Sequence, residues 1–288
     1  MFLYFIFFIL YLQFHTINGW WCNGHMLVAS IASRNLNNNT VKALEPYITE
    51  HALSYPKSNS FITSACWADD LKTYGNMANE EWHFATFPYI KSAIFDSLDN
   101  FRNDSMVIWA INQAKNILTS KTTLLQDKSR YLSFLIHFVG DIHQPLHIAT
   151  LFSSDFKAPE GDRGGNKYDI KGENEDNLHM FWDAGVGMWE DEQDRPLNNS
   201  GIKYLDSWTD KIISLYPKDK FTDLLNEKNV EEWAKENFEF AVDMVYNTPL
   251  NEKPSDDYIN KSRDICMRLV ALAGYRLANL LNEINYTV

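Results

Sequence analysis

Two histidine–aspartate pairs dominate the chemistry this sequence can offer. His137 and Asp141 stand four residues apart in the apolar run FLIHFVGDIHQPLH, residues 134–147, and His179 and Asp183 repeat that spacing in NLHMFWD. On a helix, positions i and i+4 leave the same face one turn apart, so each pair can close on one cation. Gln144-Pro145 then breaks the first helix, because proline lacks an N–H and disfavours the αR conformation in its predecessor; the chain turns back and presents His147. A lone histidine on an apolar face is ordinarily a hydrogen-bonded core residue. An aspartate and two histidines around one bend point instead to metal.

More donors lie upstream. GH supplies His25, WAD supplies Asp69 and WHF supplies His83. Imidazole and carboxylate together suit zinc, and the three cysteines, Cys22, Cys66 and Cys266, are too few and too scattered for a zinc finger. They allow at most one internal disulfide, and the pairing is not readable from the spacing. Of the remaining histidines, His51 reads as a solvated loop residue and His143 as either a support for a ligand or a helix cap. Acidic patches such as Glu190, Asp191 and Glu192 read as solvated faces.

The elements that must position these groups are mostly helical. Apolar residues recur at three- and four-residue steps over 24–36, 40–51 (disturbed by Pro46), 60–74, 105–118 and 128–144. A polar stretch with Pro159, Gly161, Gly164 and Gly165 fills 150–176, and an irregular insertion this long shapes a site mouth or is disordered. Within it KYDIK, residues 167–171, is expected to form one strand of a small β-hairpin. Helical spacing resumes over 177–190, 201–216, 230–246 and 255–284. With no repeat and no linker, residues 20–288 read as a single, mainly α (all-α class) domain.

Residues 2–12 are apolar but too short to span a bilayer, and polar residues and Gly19 follow; residues 1–19 are expected to be a cleaved secretory signal, although no positive charge precedes the apolar run. Five Asn-x-Ser/Thr sequons, at Asn38, Asn103, Asn198, Asn260 and Asn285, fit a glycosylating secretory route. An apolar content of 45% is ample for a core, and nine tryptophans argue against disorder. The formal charge of −12 should repel nucleic acid and anionic lipid unless a local cationic site overrides it. Bound metal would be such a site.

WWCNGH, WAD, WHF, HFVGDIHQPLH, GGN and NLHMFWD, in this order, resemble the fungal and plant single-strand-specific zinc nucleases (class I nucleases) and the protozoan 3′-nucleotidase/nucleases; AGYRLANLLN resembles the family's last helix. The resemblance covers residues 20–288. It implies the helical zinc-dependent phospholipase C/nuclease-type fold and three zinc ions per chain. One would take Asp69, His83, His137 and Asp141; a second His25, a shared oxygen of Asp141, and the α-amine and carbonyl of Trp20; the third His147, His179 and Asp183. An α-amine, with a pKa of about 7.7–8.0, is a usable donor, whereas a peptide nitrogen of an uncut precursor is not, so cleavage after Gly19 would complete the site. Paired zinc ions about 3.5–4 Å apart clamp an in-line displacement at phosphorus. The implied reaction is cleavage of single-stranded DNA and RNA to 5′-phosphate ends, with 3′-mononucleotides as further substrates, by a monomer without a stable protein partner that is secreted or held in the secretory pathway, with the cell surface or an endolysosomal compartment as alternative destinations.

The resemblance also implies that Phe84 stacks on a base and Asn166 lines the base pocket. Base stacking contributes about 1–3 kcal/mol and tolerates sequence. Two positions depart from the fungal pattern. Lys72 stands where those enzymes have an arginine, which keeps the charge but loses the bidentate fork. Thr86 stands where they have an aspartate that helps orient the attacking water. Two other readings fit less well. A zinc-dependent phospholipase C would carry a glutamate at Asp183 and a wider spacing between Trp20 and His25. A non-catalytic zinc-binding surface glycoprotein would explain Thr86, but not retention of every ligand position.

Overall fold

The computed structural model describes residues 20–91, 106–172 and 175–286. The expected signal, residues 1–19, and the Asn103 sequon lie outside the described residues. As the helical periodicities require, the fold is mainly α. Two helices carry the first clamp and the longest stretch of core: α5 (Leu125–Asp141) and α10 (Asp256–Glu283), whose Leu269, Leu272, Leu277 and Leu281 are all buried. Packed around them are α1 (Cys22–Ser33), α2 (Asn38–Ser54), the short α3 (Trp67–Thr73) and α4 (Met106–Thr119). The remaining helices are α6 (Leu178–Asp183), α7 (Asn199–Leu215), α8 (Thr222–Asn226) and α9 (Val230–Asp243). None of the helices among the described residues is long and apolar enough to cross a membrane.

Asparagine side chains cap several of these helices: Asn37, Asn177, Asn198 and Asn229 each accept a first-turn N–H, satisfying a donor that has no partner inside the helix. For α6 this cap sets the start of the second clamp, placing His179 one residue inside the helix.

The β structure differs from the expected hairpin. Residues 167–171 make a single antiparallel bridge, Asp169 with Asn177, because their other backbone and side-chain groups are taken elsewhere: Lys171 N–H donates to Glu252 O at 3.0 Å and the Tyr168 hydroxyl to Thr248 O at 2.7 Å. The sheet is instead a parallel pair, β1 (Phe87–Ile90) on β2 (Ala149–Phe152), with Phe87 opposite Ala149. Just before the pair, Ala85 N–H donates to His147 O at 2.8 Å and Phe87 N–H to Ile148 O at 2.7 Å. This ladder lays the WHF segment beside the bend that carries His147.

His51 is a second difference. It lies inside α2, 1% exposed, with its ring against those of Tyr55 (4.8 Å) and Trp67 (4.7 Å). Pro46 does not end α2, which runs on to Ser54. Cys22 and Cys66 form a disulfide, and Cys266 is a buried thiol.

Candidate metal centre

Six separate segments converge on one buried cluster. His25 comes from α1, Asp69 from α3, His83 from a 3-10 turn (Glu80–His83), His137 and Asp141 from the end of α5, His147 from the 3-10 turn Pro145–His147, and His179 and Asp183 from α6. A Cβ on Gly140 would stand 2.6 Å from His25 Nδ1, so the glycine in HFVGD is what lets α1 set its histidine against α5. The start of the described chain is tied down at the same place. Trp20 is fully buried and donates Nε1–H to Gly140 O at 3.0 Å, while Trp21 N–H donates to Asp183 O at 2.9 Å.

The donor atoms fall into three groups, each small enough for one ion: His25, His137 and Asp141; Asp69, His83 and His137; and His147, His179 and Asp183. Asp141 links the first two. Its Oδ2 lies 2.9 Å from His83 Nδ1 and 3.1 Å from His137 Nε2, and its Oδ1 lies 3.4 Å from His25 Nε2 and 3.5 Å from His147 Nδ1. Asp69 Oδ1 is 3.7 Å from both His83 Nδ1 and His137 Nε2. Tetrahedral ligands held about 2.0–2.1 Å from zinc stand about 3.3 Å from one another, close to the separations within the first two groups; His147 Nδ1 is instead engaged with His83 O at 2.8 Å.

Hydrogen bonds on the far sides of the rings bear this fit out. His137 and His179 direct Nδ1 at the carbonyls of Ala65 and Gly164, both at 2.6 Å, which leaves each Nε2 with its lone pair toward the cluster. His137 Nε2 and His83 Nδ1 then face each other at 3.0 Å, a contact that a shared cation would make favourable. Neither nitrogen of His25, nor Asp141 Oδ1, has a hydrogen-bond partner, although all are buried. Buried polar atoms without partners are costly, and two of these, His25 Nε2 and Asp141 Oδ1, stand 3.4 Å apart, a spacing that two ligands of one ion would have. The residues present therefore fit zinc.

The electrostatics match a site built for cations. Burial pushes the Asp141 carboxyl up, but His137, His147 and the surrounding hydrogen bonds outweigh it and hold it well below the usual carboxylate range. Asp69 is also lowered, against burial, by Lys72 and the histidines. Burial lowers His25 to about 4 and His83 to about 3, with the neighbouring positive charges of His137 and Lys72 assisting. His137 resists burial and is raised, because Asp141 and Asp69 face it. Asp69 is the group open to solvent: its side chain is 17% exposed, against 2% or less for the other seven.

Lys72 is buried and its Nζ contacts Asp69 Oδ1 at 2.9 Å. Phe84 and Thr86 are half-buried and flank Ala85, whose N–H meets His147 O. Asn166 is half-buried on the turn that contains Gly164, and its Nδ2 donates to Arg163 O at 2.9 Å. His143 stands off the cluster: Nδ1–H donates to Val139 O at 2.7 Å and Nε2 accepts from Arg276 at 3.0 Å. Two contributors were not singled out from sequence. Gln144, fully buried, donates Nε2–H to Asp183 Oδ1 and accepts Leu146 N–H, and Asp162 pins the glycine turn. A glutamine enclosed between two ligand positions and an aspartate preceding paired glycines were the available signals.

Comparison with known proteins agrees with this geometry. Endonuclease 3 of Arabidopsis thaliana is 28% identical over 289 residues, covering 93% of this chain and 90% of that protein. Nuclease S1 of Aspergillus oryzae is 28% identical over 281 residues, 92% of each chain. Nuclease P1 of Penicillium citrinum is 23% identical over 292 residues, covering 92% of this chain and 98% of that protein. A sequence-family model described as S1/P1 Nuclease matches residues 20–285, nearly the whole of the chain that builds the cluster, and the chain belongs to that family.

Proposed function

We propose that this protein is a secreted zinc-dependent nuclease that hydrolyses phosphodiester bonds of single-stranded DNA and RNA to 5′-phosphate ends, with 3′-nucleotidase activity on mononucleotides. The observation that carries the reading is the convergence of His25, Asp69, His83, His137, Asp141, His147, His179 and Asp183 into three adjoining groups in a chain of the S1/P1 nuclease family. Three zinc ions would be held by these side chains, with the Trp20 amine and carbonyl completing the His25 group once residues 1–19 are removed. Bound zinc would lower the pKa of the attacking water and neutralise charge developing at phosphorus.

The rest belongs to the chain. Asp141 orients two groups of ligands at once, through its two oxygens. Phe84 offers a ring beside His83 on which one unpaired base can stack, and Asn166 offers an amide to its edge. A duplex keeps its bases stacked and paired, so it cannot deliver a phosphate to the buried cluster and a base to Phe84 together. Lys72 carries positive charge at Asp69, the exposed edge of the cluster, where a phosphate arrives. The Cys22–Cys66 bond and the sequons at Asn38, Asn198, Asn260 and Asn285 suit a secretory route.

The deciding experiment is hydrolysis of single-stranded and duplex DNA by the purified mature protein, with chelator and with zinc restored, alongside N-terminal sequencing. Single-strand cleavage abolished by chelator and recovered with zinc, from a chain starting at Trp20, is expected. A zinc-loaded protein inert toward every nucleic acid and 3′-nucleotide tested would overturn the proposal.

A further inference from the structure

Asp162 is fully buried and contacts none of the eight candidate ligand side chains through its carboxylate hydrogen bonds. Its Oδ1 accepts Leu151 N–H of β2 at 2.8 Å. Its Oδ2 accepts both Gly165 N–H at 2.9 Å and the Tyr246 hydroxyl at 2.8 Å. The backbone closes the same unit, with Asp162 N–H donating to Leu151 O and Asp162 O accepting Lys167 N–H, both at 3.0 Å. The turn 162–167 is thus fastened to β2 on one side and to Tyr246 on the other.

Two groups of the candidate site depend on that turn. Gly164 O takes the Nδ1–H of His179 at 2.6 Å, leaving Nε2 to face Asp183 Oδ2 at 3.2 Å. Asn166, the base-pocket candidate, is two residues further on. The turn has little room to move: Gly164 and Gly165 have φ of +60° and +83°, and a Cβ on Gly164 would stand 2.4 Å from Leu146 O, the carbonyl next to His147.

We propose that Asp162 is the positioning residue of the third metal group, holding the Gly164 carbonyl where it fixes the tautomer and the direction of His179. The proposal rests on reading His147, His179 and Asp183 as a zinc triad. The chemistry requires a carboxylate, because three donors converge on two acceptor oxygens. An asparagine there presents an NH2 in place of one oxygen and leaves at least one buried N–H without an acceptor. The turn then relaxes and His179 loses its outer partner. Removal of such outer partners typically costs roughly 10–100-fold in metal affinity.

The test compares wild-type protein with D162N and with Y246F, which deletes one hydrogen bond and keeps the carboxylate. Far-ultraviolet circular dichroism checks folding, chelator competition counts zinc ions and their affinities, and 15N NMR of the metal-free protein reads the His179 tautomer. Wild type is expected to show a single Nδ1–H tautomer and three zinc ions. D162N should lose roughly 10–100-fold in affinity for one zinc ion only and show mixed His179 tautomers, with Y246F shifted the same way but less. A folded D162N with wild-type zinc affinities and tautomer would overturn the proposal; if D162N does not fold, the same result in Y246F would do so. A fixed tautomer in wild type that D162N disperses, in a protein binding fewer than three zinc ions, would instead defeat the triad reading and leave the positioning role standing.

Discussion

Lys72 Nζ stands 2.9 Å from Asp69 Oδ1, with the lysine side chain 2% exposed. Its charge is therefore applied to a candidate ligand before any substrate arrives, and one ammonium cannot grip a phosphate with the geometry of a guanidinium fork. We expect Lys72→Met to keep the zinc content and lower kcat/KM for single-stranded DNA by roughly 10-fold, the effect of one lost charge-assisted contact. Lys72→Arg should raise kcat/KM above wild type. Initial rates measured with metal analysis on the same samples decide this, and an unchanged kcat/KM in Lys72→Met would remove Lys72 from substrate contact.

Thr86 adjoins the segment hydrogen-bonded to His147 but brings no carboxylate. Thr86→Asp supplies a group able to accept a proton from water, and general-base assistance typically contributes about 10²–10⁴-fold. An increase in kcat of at least 10-fold, with a new pH dependence, is expected from steady-state rates over pH 4–9. A rate unchanged at every pH would show that the position does not reach the reacting water.

Asp141 faces His83 and His137 with one oxygen and His25 and His147 with the other. Asp141→Asn should therefore weaken two metal positions together while the His147, His179 and Asp183 group keeps its ion. The expected readout is loss of two zinc equivalents on dialysis and a fall in activity of roughly 10³-fold or more. Loss of only one equivalent would contradict the bridging role.

Acid should destabilise the metal-free protein. Burial holds His25 and His51 at about 4 in the folded state, whereas unfolded histidines titrate near 6.5. Between those values the unfolded chain binds more protons, so stability falls as pH falls through that window, by on the order of 3 kcal/mol for each residue. His137 is raised and opposes this, its contribution being larger at low pH. Thermal unfolding of chelated protein at fixed ionic strength should give a Tm that drops from pH 7 to pH 4; a flat profile would contradict the burial of His25 and His51.

What the sequence revealed follows from distance along the chain. The two His-x3-Asp clamps and the Pro145 bend are local, and helical periodicity alone puts each pair on one face. The parallel pair of β1 and β2 is not local. Four-residue strands some sixty positions apart carry no periodic signature, and the KYDIK segment lost its hairpin to partners near residues 248–252. His51 looked polar enough for solvent, yet its surroundings are set by Trp67, sixteen residues on, and by the helix that Pro46 fails to end. Lys72 could be identified as a departure from the fungal pattern, but its attachment to Asp69 depends on how α3 is turned into the cluster.

Cys22 precedes His25 by three residues, and Cys66 precedes Asp69 by three, so the disulfide joins two segments one step below a donor on each. It works as a jig. The separation of those two segments is constrained once the thiols are oxidised, before any ion is bound. A chain stripped of ions would then keep those two segments joined, and rebinding would not require them to be brought together again.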